Sequence, residues 1–285
     1  MPVRKDDNGQ RSVEAEIEVP GSPEEVWHAI ATGHGISSWF VPSQVEQREG
    51  GTVVNSFGPG MDSVATITQW DPPKSFTAET EEEPGTVATQ WTVETRDGGT
   101  CVVRVVHRWF ASTDDWDAQF EGHAYGWATS FFRMLRLYLT HFPGRPCSAF
   151  QLSAVSESSA PETWQAIKSV LNIEGAGQRF QSGSGVPEAA GTVERKEIDD
   201  PELLRTREQL LASMDWQENE EPELLLRLDQ PAPGLAHLFV VPMGGPTMVS
   251  IRFHFFGDQG AAVAHDAERA WNEWLARQFP QEAVQ

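Results

Sequence analysis

Between Cys101 and Phe110 the sequence alternates regularly enough to sort its side chains by face, and the sorting places a histidine among apolar residues. Cys101, Val103, Val105, His107 and Trp109 share one face, while Val102, Arg104, Val106 and Arg108 share the other. The two arginines mark the second face as the solvent side, so His107 and Trp109 point inward. An imidazole in an apolar hollow can orient a ligand carbonyl or hydroxyl, or act as a general base if its pKa lies near neutrality. The plainer alternative is a histidine satisfied by one hydrogen bond at the rim of a core. His123 lies one turn before Trp127 and shares its helix face, which Phe131 extends, and Trp91 is an inward residue of the preceding strand. Trp39 and Phe40 sit in a short helical turn between two loops, where aromatic area can cap a hollow. The residues expected to line a ligand site are therefore Trp39, Phe40, Trp91, His107, Trp109, His123, Trp127 and Phe131, with no catalytic residue among them. Ordinary core packing would account for most of the aromatic stripe.

Other chemistry is not signalled. The eight histidines include no pair at metal-ligand spacing, so no metal is expected. Gly58-Pro59-Gly60 and Gly175-Ala176-Gly177 read as turns because neither carries the Lys and Ser/Thr of a phosphate loop, and there is no Gly-x-Ser-x-Gly elbow. No cofactor is expected. The formal charge of −21 divides evenly: residues 1–146 hold 11 Lys+Arg against 21 Asp+Glu, and residues 147–285 hold 10 against 21. Such a surface repels phosphate backbones and anionic membranes, so nucleic acid and membrane are not expected partners. Excess acid mainly keeps a protein soluble, although a basic protein partner and a homodimer both stay open. Two cysteines make a disulfide framework unexpected, and the polar N-terminus lacks the apolar core of a signal peptide. A cytoplasmic location is the simpler reading.

These residues need elements to hold them. Val13 to Val19 alternates as a strand, and Ser22-Pro23-Glu24-Glu25 supplies a cap, a first-turn proline and two acids for a helix through Ala31. Gly33 and Gly35 are expected to break that helix before a turn at Ile36 to Phe40. Strands follow at 52–57, 63–70, 74–80, 86–95 and 100–110, separated by Gly and Pro turns. A helix from Asp115 to Phe142 carries Phe120, Ala124, Trp127, Phe131, Leu135 and Tyr138 at three- and four-residue steps. Its natural seat is the concave face of an antiparallel sheet. The second half repeats this plan with a strand at 149–155, a helix at 161–171, strands at 192–198, 223–229, 235–241 and 247–256, and a last helix through Phe279. Residues 201–214 read as helical or irregular.

The halves are also copies. Pro23-Glu24-Glu25-Val26-Trp27-His28-Ala29-Ile30 returns as Ala160-Pro161-Glu162-Thr163-Trp164-Gln165-Ala166-Ile167, with Trp27 and Trp164 separated by the same interval as Phe142-Pro143 and Phe279-Pro280. A repeat of this length is a duplicated domain that buries its own core. The expected domains are 1–145 and 146–285, joined at Pro143-Gly144-Arg145-Pro146.

With these residues in place, the first half resembles the Hsp90-ATPase-activator-homologue branch of the START-like (SRPBCC) superfamily. The likeness rests on Val26-Trp27-x-Ala29-Ile30, Trp39-Phe40-Val41-Pro42, Gly50-Gly51, Trp70-Asp71-Pro72-Pro73, Gly98-Gly99-Thr100 leading to His107, Gly126-Trp127 and Leu135-x-x-Tyr138-Leu139. It implies an α+β chain of two helix-grip domains, each a curved antiparallel sheet wrapped around a long C-terminal helix, the second diverged. It further implies a cavity between sheet and helix for a small hydrophobic or aromatic molecule. A polyketide-cyclase-like enzyme and a chaperone-regulating interaction module are the two alternatives. Only about a dozen residues precede the first strand, so chaperone activity is not expected to follow from the name.

Overall fold

The computed structural model describes residues 3–7, 9–58, 60–82, 85–110, 117–195, 201–213 and 222–280. The chain divides into two compact units, Met1–Gly144 with Ile198–Thr206, and Arg145–Glu197 with Arg207–Gln285.

The first unit runs β1 (Arg4–Lys5), β2 (Gln10–Pro20), α1 (Pro23–Ala31), α2 (Gly33–Ser37), β3 (Ser43–Val45), β4 (Thr52–Ser56), β5 (Asp62–Asp71), β6 (Ser75–Glu82), β7 (Gly85–Arg96) and β8 (Thr100–Phe110). Helix α3 (Asp117–Gly126), a π-helical turn at Trp127–Phe131 and α4 (Phe132–His141) then follow without a break. All eight strands pair antiparallel in the order β1-β2-β8-β7-β6-β5-β4-β3. The inner face of β2 and β8 is as read from the sequence, with Val13, Ala15, Val19, Cys101, Val103 and Val105 buried and Glu16 pairing with Arg104 across the outer face at 2.8 Å, but Val102 and Val106 on that outer face are buried too. Such alternation is what one buried sheet face requires.

Helix α1 starts as its cap predicts. Glu25 N–H donates to Ser22 Oγ (3.3 Å) and Ser22 N–H donates to Glu25 Oε2 (2.8 Å), which satisfies two end groups reciprocally. The first helix does end before Gly33, at the extended Thr32, and a second short helix α2 starts there, as expected. Gly33 and Gly35 lie inside α2, where Gly35 N–H donates to Thr32 Oγ1 (2.9 Å). A Cβ on Gly35 would stand 1.9 Å from His28 O and one on Gly33 2.7 Å from Ser43 O. Besides following the break, each glycine stands where backbone meets backbone and a side chain would not fit.

The rest of the chain runs β9 (Cys147–Ser156), α5 (Ala160–Val170), β10 (Arg179–Gln181), β11 (Ala190–Val193), α6 (Pro201–Ser213), β12 (Glu223–Gln230), β13 (Gly234–Pro242), β14 (Thr247–Phe256) and α7 (Gly257–Gln278), all in the second unit except Pro201–Thr206 of α6. Its six strands are antiparallel in the order β10-β11-β12-β13-β14-β9. The capping box of α1 recurs at α5, where Ser159 N–H donates to Glu162 Oε2 (3.2 Å). Its core joins Trp164 of α5, Phe150 of β9, Phe253 and Phe255 of β14, and Trp271 and Trp274 of α7. Arg252 and His254 lie on the other face of β14, and that face is buried as well, at 5% and 2% exposure. Arg252 donates from Nε to Gln151 Oε1 (2.8 Å) and lies 5.0 Å above the Phe239 ring. Burial pulls its pKa down to about 10, with Glu223 opposing that shift.

The protein is thus α+β, built from two antiparallel sheets, each holding its terminal helix in the helix-grip manner. The short strands β1, β3 and β10 are additions to the reading above. With two or three residues each, they give no alternation to detect.

Candidate functional site

A cavity of about 540 Å³ opens inside the first unit between the sheet and the α3–π–α4 helix. It exists because small side chains occupy the inner face where large ones would meet the helix. Ser63 and Ala65 of β5, Ala78 and Thr80 of β6, Thr89 of β7, and Gly122 and Gly126 of α3 all contribute to its lining. Protein interiors pack to crystal-like density, so a run of small residues on facing elements leaves space of this size.

Aromatic rings form one wall. Phe40 lies 5.0 Å from Trp127, 4.8 Å from Phe131 and 5.7 Å from Phe57, and Trp127 meets Trp91 edge-on at 5.1 Å. Trp39 backs this cluster and is pinned by donating from Nε1 to Ala29 O (2.9 Å). The π-helical turn begins at Trp127 and ends at Phe131, and both residues line the cavity. A π turn carries one residue more than an α turn needs, and such turns recur at functional sites.

Polar groups are few. His107 Nδ1 and Thr89 Oγ1 are 2.9 Å apart on paired positions of β8 and β7. At the far side, Asn55 of β4 faces Ser63 of β5 across the ladder, and both line the cavity with Thr80 between the two groups. Among the described residues no Asp, Glu, Lys or Arg lines the space. The lining suits a neutral, mainly apolar guest, because a charge placed there would be desolvated without a counter-charge.

Of the residues singled out in the sequence, Trp39, Phe40, Trp91, His107, Trp127 and Phe131 come together around this cavity. Trp109 does not line it. Its ring stacks on Phe120 at 3.9 Å in a small cluster with Val13, Val87 and Ala124, so Phe120 presents the surface that Trp109 was expected to supply. The side chain of His123 lies outside the described residues. Sequence reasoning missed Asn55, Phe57, Ser63, Thr80 and Thr89. The signal for them was the period-two pattern of β4 to β7, but choosing which small residues face one another requires the strand register.

Among the described residues no group of three His, Cys, Asp or Glu is arranged to hold a metal, and no helix is long and apolar enough to cross a membrane. Cys101 and Cys147 are unbridged. Burial pushes the Cys101 thiol pKa up, and nearby Glu24 adds to the shift.

The family model described as polyketide cyclase / dehydrase and lipid transport matches residues 10–135. Solved structures with similar folds include the di-domain aromatase/cyclase BexL from the BE-7585A biosynthetic pathway, at 15% identity over 96% of this chain and 100% of that one, with a TM-score of 0.42. DynU16, a protein of the dynemicin biosynthetic locus, matches at 16% identity over 94% and 98%, with a TM-score of 0.40. The Aha1 dimer from Colwellia psychrerythraea matches at 20% identity over 45% and 95%, with a TM-score of 0.37. No curated protein sequence matches the chain.

Proposed function

We propose that the first unit binds a small, neutral, aromatic or otherwise apolar molecule without covalent chemistry, with His107 and Thr89 fixing its orientation. The observation that carries this reading is the cavity of about 540 Å³, walled by Trp39, Phe40, Trp91, Trp127 and Phe131 and free of charged lining residues among those described. Volumes of several hundred Å³ with an apolar wall and few polar groups are the usual form of small-molecule sites. Binding would draw on about 25 cal/mol for each Å² of apolar surface removed from water. The match of residues 10–135 to a family described by cyclases, dehydrases and lipid transport supports the same reading.

The test is native mass spectrometry of protein purified from its own host, combined with titration of N-phenyl-1-naphthylamine. A retained small molecule, or saturable one-to-one uptake of the probe with quenching of tryptophan emission, is expected. Protein that neither carries a guest nor takes up the probe would overturn the reading.

A second reading is an enzyme of the cyclase or dehydrase type. The observation favouring it is the hydrogen-bonded His107–Thr89 pair, since an imidazole held by a hydroxyl can accept and return a proton beside a bound chain. Turnover by the wild type that vanishes in His107→Leu, with binding retained, would establish it. Turnover unchanged by that substitution would exclude His107 as its base.

We also assign the protein to the cytoplasm, on the support of its two unbridged cysteines. Fractionation of host cells tests this. A partner chain or second copy is checked by light scattering of the purified protein.

A further inference from the structure

The lining has two polar ends, and only one of them entered the reading above. Asn55 sits on β4 with Ser43 of β3 paired to it on one side and Ser63 of β5 on the other. Ser43 Oγ lies 2.7 Å from the terminal side-chain atom Asn55 Oδ1 and 2.8 Å from Val41 O, so one end of the amide is fixed from behind. A side-chain amide has two polar ends and capacity for about four hydrogen bonds, and Ser43 uses only one end. Asn55 and Ser63 both belong to the cavity lining, which leaves the other end of the amide for a guest. An amide held in place by a neighbouring hydroxyl has already lost the rotamer freedom that binding would otherwise remove.

The Thr89–His107 pair lies on β7 and β8, while Asn55 lies on β4. Four strand spacings of about 4.8 Å separate β8 from β4 along the sheet, and the wrap of the sheet about the helix shortens the direct path. Between the two polar groups the lining is mostly aromatic and aliphatic, with Phe76, Ala78 and Trp91 on the sheet side. A guest satisfying only one group would leave the other desolvated against apolar surface, at a cost in affinity.

We infer that Asn55, buttressed by Ser43 and assisted by Ser63, is a second anchor that selects an elongated planar aromatic ligand bearing a hydroxyl or carbonyl oxygen at each end. This rests on the ligand-binding reading of the same cavity. The anchor sets length as well as polarity. A guest with an oxygen at one end satisfies Thr89–His107 alone.

The experiment compares trans-stilbene, 4-hydroxystilbene and 4,4′-dihydroxystilbene by tryptophan quenching against the wild type, Asn55→Leu and Thr89→Val, with thermal melts confirming that each variant is folded. In the wild type each hydroxyl should tighten Kd by roughly tenfold, the order expected when a buried polar group gains its partner. Asn55→Leu should bring 4,4′-dihydroxystilbene to the Kd of 4-hydroxystilbene while leaving trans-stilbene unchanged or tighter. Thr89→Val should remove one increment in the same way, and the double variant both. Equal loss for all three probes in Asn55→Leu would overturn the inference, as would a second hydroxyl without effect in the wild type. Binding of trans-stilbene with no hydroxyl increments rejects the second anchor but keeps the cavity reading. Failure of all three probes to bind rejects both.

Discussion

Where the first unit places His107, the second places Phe253. The interval that carries Trp27 to Trp164 also carries Val13 to Phe150, and these are the strand partners of His107 and Phe253 respectively. Following the ladders outward, Thr89 beside His107 corresponds to Ala236 beside Phe253, and Ala78 corresponds to Leu226. The two sheets therefore share a scaffold and differ in what faces the helix. In the second unit Phe253 packs 5.1 Å from Phe150 and 5.1 Å from Trp271, as a core residue with no polar duty. In the first unit the same place holds an imidazole bonded to a threonine beside an open volume. The helices differ too. Helix α7 is α-helical throughout, whereas the corresponding rod in the first unit is interrupted by the π turn that carries Trp127 and Phe131. The matching ladders supply a common frame, and a few inward positions decide whether this place holds a polar pair beside an open volume or packed aromatic rings.

The comparison can be broken most forcefully at Phe253. Phe253→Ala should destabilise the second unit by about 3–5 kcal/mol, the usual cost of emptying a packed aromatic site. Calorimetry should show its transition shifting down while probe uptake by the first unit persists. His107→Ala in the first unit should cost far less, because its ring borders existing space. Equal losses at the two sites would mean that the units do not differ as described.

The exchange in the other direction comes next in size. Thr89→Ala with His107→Phe gives the first unit the inward pair of the second. Uptake of N-phenyl-1-naphthylamine should weaken by tenfold or more, because a larger ring enters the cavity and its polar pair is gone. Retained affinity would show that the guest sits elsewhere. A smaller effect is expected at the helix starts. Ser22→Ala and Ser159→Ala each remove a capping box and should cost about 1 kcal/mol, read by denaturant melts. The smallest is chemical. At pH 8 a thiol reagent should modify half-buried Cys147 before Cys101, whose buried thiol has a raised pKa and little thiolate. A folded-state pKa above the unfolded one means that the neutral thiol is favoured by folding. That stabilisation is complete at low pH and is lost as pH rises through the ordinary cysteine range and beyond.

Much of the frame could be read from residue order. Strand β8 was legible to the residue because valines alternate with arginines after the Gly98-Gly99 turn, and α1 because its cap, proline and acids stand in sequence. Local patterns failed wherever a distant backbone decided the outcome. Gly33 and Gly35 do follow a helix break, but the sequence does not show that each also stands where another segment's carbonyl leaves no room for Cβ. The site divides in the same way. The large aromatics and His107 are conspicuous in any window of sequence, while Ser63, Ala78 and Thr89 acquire meaning only when register sets them opposite small residues of the helix. Trp109 shows the converse error, since facing inward is not the same as reaching the space: Phe120 lies between.

The π turn at Trp127–Phe131 makes chain length a variable of this protein. Removing one residue there would let the backbone relax into regular winding, which turns everything upstream by about 100° about the axis. Phe120, Gly122 and Gly126 would then swing off the cavity without any of them being altered. A deletion in this stretch should therefore reshape the chamber more than most replacements of the residues that touch it, and relatives with different guests can be sought by counting residues between Asp117 and Phe142 before comparing their identities.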